Sequence, residues 1–282
     1  MNILKFLESF TNEGVLESLN SKGSRRDSFS QFGKVGTTAA MAAVPFGMLF
    51  SQKANAASTS AFAAAAADTP LSALQLALTL EYLEDEFYDM GLAANGLIPA
   101  EDRDVIAQIS KHEQAHVTLL KNALGANAPA KPTFDFTGAR SANGGGPFDT
   151  FTNYQTFLAV AQAFEDTGVR AYKGQAGNLI TDKGLLTTAL RIHSVEAKHA
   201  SKIRRMRGLK GWIVGNQRGA GMPEQTQAVY NGEENVNQAG FMTNAVPGSY
   251  TPALTATGGT ESFDEPITGA TATTIASLFI VP

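Results

Sequence analysis

The sequence contains no cysteine. That excludes disulfides, thiolate metal sites and cysteine nucleophiles, and leaves the compartment open. Histidine is nearly as scarce, at four residues, so a pattern that places two of them at matching positions carries weight. No long hydrophobic run is present; the weakly apolar stretch from Val35 to Phe50 is too short for a membrane span. Positive charge is in the minority, with a formal net charge of -4, which argues against nucleic acid as the main partner. What is present is 282 residues that are 43% hydrophobic, enough for one sizeable core with extra segments, or for two small domains.

Residues 1–56 read as an export segment rather than as part of the fold. Ser24-Arg25-Arg26-Asp27 resembles a twin-arginine motif, with Phe29 one place later than usual, and Ala54-Asn55-Ala56 offers a small-x-small cleavage site. That route carries folded proteins, which suits insertion of a metal before export to the periplasm or beyond. Without this segment the chain has 16 Lys/Arg against 22 Asp/Glu, still acidic, with no membrane contact expected of the mature form. The one basic cluster, Lys202 to Lys210 with Arg204, Arg205 and Arg207, falls at a helix end, where it complements the helix dipole.

Residues 57–70 read as a linker, and 71–207 as four helices. Asp68-Thr69-Pro70 is a helix start, and the breakers predict helices over Leu71 to Ala94, Pro99 to about Gly125, Thr152 to Leu179 and Asp182 to Arg207. The first two and the last two are joined by short links, so each pair forms an antiparallel hairpin. Residues 126–150, with Pro129, Pro132, Pro147 and Gly144-Gly145-Gly146, form a long crossover. Residues 208–282 read as an irregular extension of loops and short strands wrapped on the bundle, with a short terminal helix from Pro266 to Phe279.

The pattern with chemical content is a repeat. Glu81 is followed by Glu113-Gln-Ala-His116, and Glu165 by Glu196-Ala-Lys-His199. From Glu81 to Glu165 is 84 residues; from Glu113 to Glu196, and from His116 to His199, is 83. Each lone glutamate has a tyrosine seven residues on, Tyr88 and Tyr172. Steps of three and four place all six ligand-type residues on apolar, core-facing stripes. Four buried carboxylates cost several kcal/mol each unless compensated; two divalent cations match their charge, and Glu and His three apart on a helix reach one ion together. Oxygen-rich ligation with one imidazole per ion suits Fe or Mn better than structural Zn. Glu84, one turn from Glu81, is the rival ligand on the first helix; Tyr88 favours Glu81, because only that choice repeats the Glu165–Tyr172 spacing.

These residues resemble the ferritin-like di-iron carboxylate superfamily over about 71–207. Leu76-Ala-Leu-Thr-Leu-Glu-Tyr-Leu-Glu-Asp-Glu-Phe-Tyr88 and Phe263-Asp-Glu-Pro-Ile-Thr268 are similar to a bacterial exported ferritin-like family described as desiccation-related. The resemblance implies an all-α ferritin-like four-helix bundle. It implies a metal site of Glu81, Glu113, His116, Glu165, Glu196 and His199, with Glu113 and Glu196 bridging two Fe or Mn ions, Fe favoured. It inclines toward a di-metal oxidoreductase acting on oxygen or peroxide in stress protection, with Tyr88 and Tyr172 bonding to the ligands or filling the core. A homo-oligomer stays open.

Two other readings compete. A ferritin-like scaffold with a structural metal or none would bind or support rather than catalyse. His112-Glu113-Gln-Ala-His116 also spells a zinc-protease motif, but Val195 stands where a second copy would repeat His112, and no third ligand is visible. On the di-metal reading His112 and His193 face solvent or support the ligands from outside.

Overall fold

The computed structural model describes residues 69–141, 146–245 and 256–282. The expected export segment and most of the expected linker lie outside the described residues.

Four helices carry the fold: α1 (Pro70–Ala93), α2 (Ala100–Leu124), α3 (Tyr154–Gln175) and α4 (Lys183–Met206). Each start has a local cause. Thr69 accepts from the Ser72 amide at 3.1 Å, and the Ser72 hydroxyl accepts from the Thr69 amide at 3.0 Å, a reciprocal cap ahead of Pro70. Asn153 caps α3 by accepting from Gln155 N at 3.0 Å, and Asp182 caps α4 by accepting from Leu185 N at 3.0 Å. Glu101 and Asp102 occupy the first turn of α2 beside its positive dipole end. Gly125, at φ +53, lets the chain turn out of α2. The third helix ends four residues short of the predicted Leu179, because Ala176–Leu179 tighten into a 3-10 turn.

α1 packs chiefly against α2 and α3 against α4, with α1 on α3 joining the two hairpins. The fold class is therefore the all-α bundle predicted. No helix among the described residues is long and apolar enough to cross a membrane.

The extension completes the core. It contains a two-residue hairpin, β1 (Asn237–Gln238) with β2 (Phe241–Met242), and two short helices, α5 (Ala256–Thr260) and α6 (Gly269–Ala276). α6 packs on α1 and α3. The chain end then pairs with the crossover: Asp135 N donates to Phe279 O at 2.8 Å, and Val281 N to Thr133 O at 2.9 Å. α3 is consequently buried on every side from Phe157 to Tyr172, although its outward face carries polar residues. Those residues are the anchors. Arg170 pairs with Glu233 at 2.7 Å, and Asp166 accepts from Tyr230 at 2.9 Å.

The basic cluster at the end of α4 is corrected here. Arg204 is buried and donates to Asp166 at 3.0 Å, and Arg207 donates to Gln162 and to Ala220 O. A charge brought out of water needs a bonded partner; Arg204 and Arg207 fasten α4 to α3 and the extension, beyond any complement to the dipole.

Candidate metal centre

Each of the four long helices delivers side chains to one level of the bundle interior. α1 supplies Glu81, Glu84 and Tyr88; α2, Glu113 and His116; α3, Glu165 and Tyr172; α4, Glu196 and His199. Glu81, Glu113, Glu165 and Glu196 are each 0% exposed, a burial that carboxylates do not reach without compensation.

The six residues of the repeat form two groups of four: Glu81, Glu113, His116 and Glu196; and Glu113, Glu165, Glu196 and His199. In each group the ligand atoms lie within 4.8 Å of one another. Glu113 and Glu196 belong to both, and each turns one oxygen to each group. Glu113 Oε2 lies 3.0 Å from His116 Nδ1 and its Oε1 lies 2.8 Å from His199 Nδ1. Glu196 Oε1 lies 3.1 Å from His116 Nδ1 and its Oε2 lies 3.5 Å from His199 Nδ1. Glu81 Oε2 faces only His116, at 3.1 Å, and Glu165 Oε2 faces only His199, at 3.3 Å.

The tyrosines cross between the helical hairpins. Tyr172 on α3 donates its hydroxyl to Glu81 Oε1 on α1, and Tyr88 on α1 donates to Glu165 Oε1 on α3. Each glutamate confined to one group thus has one oxygen fixed from outside and one free to face inward. Exchanging one hairpin for the other maps the site onto itself, the geometric counterpart of the sequence repeat.

These residues fit metal ions, and the test is their unmet bonding. Glu113 Oε1, Glu165 Oε2, both oxygens of Glu196 and His199 Nδ1 are buried without a hydrogen-bond partner, although each lies within ion-pair distance of His116 or of a partner across the His199 group. Their approaches satisfy distance but not direction. Acceptors converging on a common space without aligned donors are arranged as ligands to a shared cation. The buried carboxylate and imidazole groups are positioned to hold a metal ion.

The electrostatics agree. Burial, reinforced by Glu196, raises Glu113 to about 7. Burial, with Glu113 and Glu196 adding to it against His199, raises Glu165 to about 8. Glu81 rises by burial, against the pull of His116. Burial acts upward on Glu196 too, but the contacts with both imidazoles outweigh it and hold this carboxyl at about 2. Burial pulls His116 and His199 down, and the surrounding carboxylates overcome it and lift both well above the ordinary imidazole range. Burial and the facing glutamates keep Tyr88 and Tyr172 protonated, as donors must be. Without a cation, the cluster as a whole holds its protons tightly.

Two residues take places that the sequence reading left open. Glu84 does not replace Glu81; both are buried. Glu84 stands outside the two groups, and a Cβ at Gly168 would lie 3.4 Å from its Oε1. Gly168 is its counterpart 84 residues on: one half carries a carboxylate where the other carries no side chain, which leaves room for a single extra carboxylate. Burial and repulsion from Glu196, Glu165, Glu81 and Glu113 hold Glu84 well above the usual carboxylate range.

His112 is the second. Its Nδ1 lies 2.9 Å from His199 Nε2, and its Nε2 lies 2.8 Å from the Gln108 amide. Both ring nitrogens are engaged away from His116, so the zinc-protease arrangement is not formed. With His199 Nδ1 ligating a metal ion, the proton of its imidazole would sit on Nε2 and be donated to His112 Nδ1. His112 is then protonated at Nε2, which calls for the oxygen of the Gln108 amide there. His193 is half-buried on α4 and belongs to neither group.

A model of the ferritin-like domain matches residues 69–209. Protein rds1 of Schizosaccharomyces pombe is 24% identical over 149 residues, 50% of this chain and 34% of that protein. The chain thus spans about a third of that relative's length. No solved structure matches. The domain match covers the four helices and every residue of the two groups, and the chain belongs to the ferritin-like family.

Proposed function

We propose that the chain is a di-metal carboxylate oxidoreductase holding two iron or manganese ions, iron favoured, and reacting with dioxygen or peroxide. The observation that carries this reading is the pair of shared carboxylates. Glu113 and Glu196 each present one oxygen to each imidazole-containing group, as two bridging ligands between neighbouring ions would. Glu81 with His116, and Glu165 with His199, would each complete the donor set of one ion. Four ionised carboxylates match two divalent charges, and the oxygen-rich donor set suits iron and manganese.

The site would hold two ions that, when bound and reduced, would supply one electron each, which with two protons balances reduction of dioxygen to hydrogen peroxide or of hydrogen peroxide to two waters. The chain's residues set the conditions. Tyr172 and Tyr88 fix the carboxylates that serve one ion each, His112 fixes the tautomer of His199, and the buried walls exclude water. Glu84, its carboxyl held well above the usual range by burial and the facing glutamates, adds a second buried carboxylate of α1 outside the two groups.

Export through the twin-arginine-type segment and a role in stress protection, as in the desiccation-related relatives that the sequence resembles, complete the proposal. Metal content of the full chain purified without oxygen tests it: close to two Fe or Mn per chain is expected, with consumption of oxygen or peroxide after reduction. Glu113→Ala combined with Glu196→Ala removes both metals. Full metal content and turnover in that double variant would refute the ligand assignment. Metal retained without turnover marks a structural ion, and metal-free protein with an unchanged melting temperature marks a scaffold.

A further inference from the structure

The glutamates of the two groups are fully buried, whereas His116 and His199 each keep an exposed edge, at 9% and 5%. The metal centre therefore comes closest to solvent through its imidazoles. α2 and α4, which carry them, are not packed closely on each other. His112 of α2 bridges this seam by stacking on His199 of α4. Its Nδ1 lies 2.9 Å from His199 Nε2, and its Nε2 lies 2.8 Å from the side chain of the exposed Gln108. One half-buried imidazole thus stands between the surface and a metal ligand.

The surface around the seam is of one sign. Glu196 is the only acid of α4, and beyond Asp104 the only acid of α2 is Glu113; both are buried in the metal centre. The exposed charges on these stretches are all positive, among them Lys111 on α2 and Arg191, Lys198 and Lys202 on α4. Arg204 bonds Asp166 on α3 at 3.0 Å. By helical spacing Arg191, Lys198 and Lys202 fall on the other flank of α4, the one bordering the seam. The Lys and Arg ion pairs among the described residues are Lys131–Glu86, Arg170–Glu233, Arg204–Asp166 and Lys210–Glu261, so this face is uncompensated. Lys198 and Lys202 are four apart on one helix, a spacing at which like charges repel. On a chain of net charge -4, such a face sets up a local positive field that draws an acidic partner. A polyanion would be held as well anywhere else on the surface. A partner that passes electrons gains from this place, because electron transfer falls steeply with distance.

We propose that the α2–α4 face docks an acidic one-electron carrier protein, which reduces the metal centre by way of His112 and His199. Each carrier would be oxidised by one electron as one bound ion goes from trivalent to divalent; two carriers serve the pair, and no bond forms or breaks. The proposal rests on the di-metal reading for its electron acceptor but not for its docking face. Plant-type ferredoxin, an acidic iron–sulfur carrier, is the probe. Its oxidised form is expected to bind the full chain with or without metal, and less tightly as salt rises, by analytical ultracentrifugation. Lys198→Glu combined with Lys202→Glu reverses the face at two exposed side chains, and Lys198→Gln with Lys202→Gln is the milder pair should the first fail to fold. The reversal is expected to weaken binding about tenfold or more, with melting temperature and iron content unchanged. Reduced ferredoxin mixed without oxygen with the oxidised, iron-loaded chain is expected to be reoxidised, at a rate that falls likewise in the variant. Absence of binding to the unaltered chain overturns the proposal. So does binding that charge reversal leaves intact, or binding without electron transfer to a centre that dithionite reduces. A face that binds heparin but not ferredoxin overturns it too, and marks a polyanion site. An iron-loaded centre that dithionite cannot reduce instead overturns the redox reading, and the binding measurements alone then judge the docking face.

Discussion

The imidazole of His112 stacks on that of His199 with ring centres 5.1 Å apart and planes 12° from parallel, and His112 Nδ1 lies 2.9 Å from His199 Nε2. His116, the counterpart of His199, has no such neighbour in the repeat, because position 195 on α4 carries Val where α2 carries His112. The two halves of the site are therefore alike in their inner ligands and unlike in what supports them. His112→Val, which copies the other half, removes the support from one group only. Loss of a group that orients a metal-bound imidazole weakens binding by about 10–100-fold. A metal titration should then resolve one weakened and one unchanged site; two sites weakened equally would contradict the assignment.

The crossed tyrosines give a complementary pair. Tyr172→Phe leaves Glu81 Oε1 without its donor, and Tyr88→Phe does the same to Glu165 Oε1. A hydrogen bond to a charged group is worth roughly 1.5–3 kcal/mol. Tyr172→Phe is expected to weaken the group containing His116, and Tyr88→Phe the group containing His199, with helicity by circular dichroism unchanged in both. Combined with His112→Val, only Tyr88→Phe acts on the same ion.

What the sequence discloses and what it conceals divide along a physical line. The helices and the inward stripes are legible because burial forces a three-to-four-residue period on Glu81, Glu113, His116, Glu165, Glu196 and His199. Thr69, Asn153 and Asp182 mark their helix starts by local chemistry. The relation of Tyr88 to Glu165 is concealed because it crosses from one hairpin to the other: spacing ties Tyr88 to Glu81, on its own helix, while the hydroxyl serves the opposite one. Glu84 reads as an alternative to Glu81, since one residue cannot reveal that its facing position, Gly168, has left space for it. Arg204 reads as a dipole complement because Asp166, its partner, is 38 residues away. Local periodicity survives in one dimension; pairings between helices require the packed interior.

Proton binding makes metal affinity depend on pH. Glu113 at about 7 and Glu165 at about 8 are raised above the ordinary carboxylate value by burial first. Their carboxyls keep protons through neutrality, and metal must displace them. Each proton released makes affinity rise up to about tenfold per pH unit below the relevant pKa. Affinity should therefore strengthen from pH 6 to pH 8, and go on rising above it while His116 and His199, lifted well above the ordinary imidazole range, still give up protons to the metal. Calorimetry in buffers of differing ionisation heat checks this directly, by counting protons released per metal. Affinity constant across that range, with no proton release, would show that the cluster is already ionised.

Two glycines of α3 separate a tolerated methyl from a disruptive one. At Gly168 an added Cβ would meet Glu84 Oε1 at 3.4 Å and Glu196 Cγ at 3.5 Å, ordinary contact distances. Alanine in a helix interior is favoured over glycine by roughly 0.5–1 kcal/mol, so Gly168→Ala should keep or raise the melting temperature and leave metal content intact. At Gly174 the Cβ would collide with the backbone carbonyl of Ile267, whose own amide donates to Arg170 O at 3.2 Å. A backbone oxygen cannot swing aside as a side chain can, so the strand of chain leading into α6 must lift. Gly174→Ala is expected to cost about 1–3 kcal/mol and to open the extension to protease ahead of the bundle. Equal melting temperatures for the two variants would show that the extension contributes little to the stability of the helices it covers.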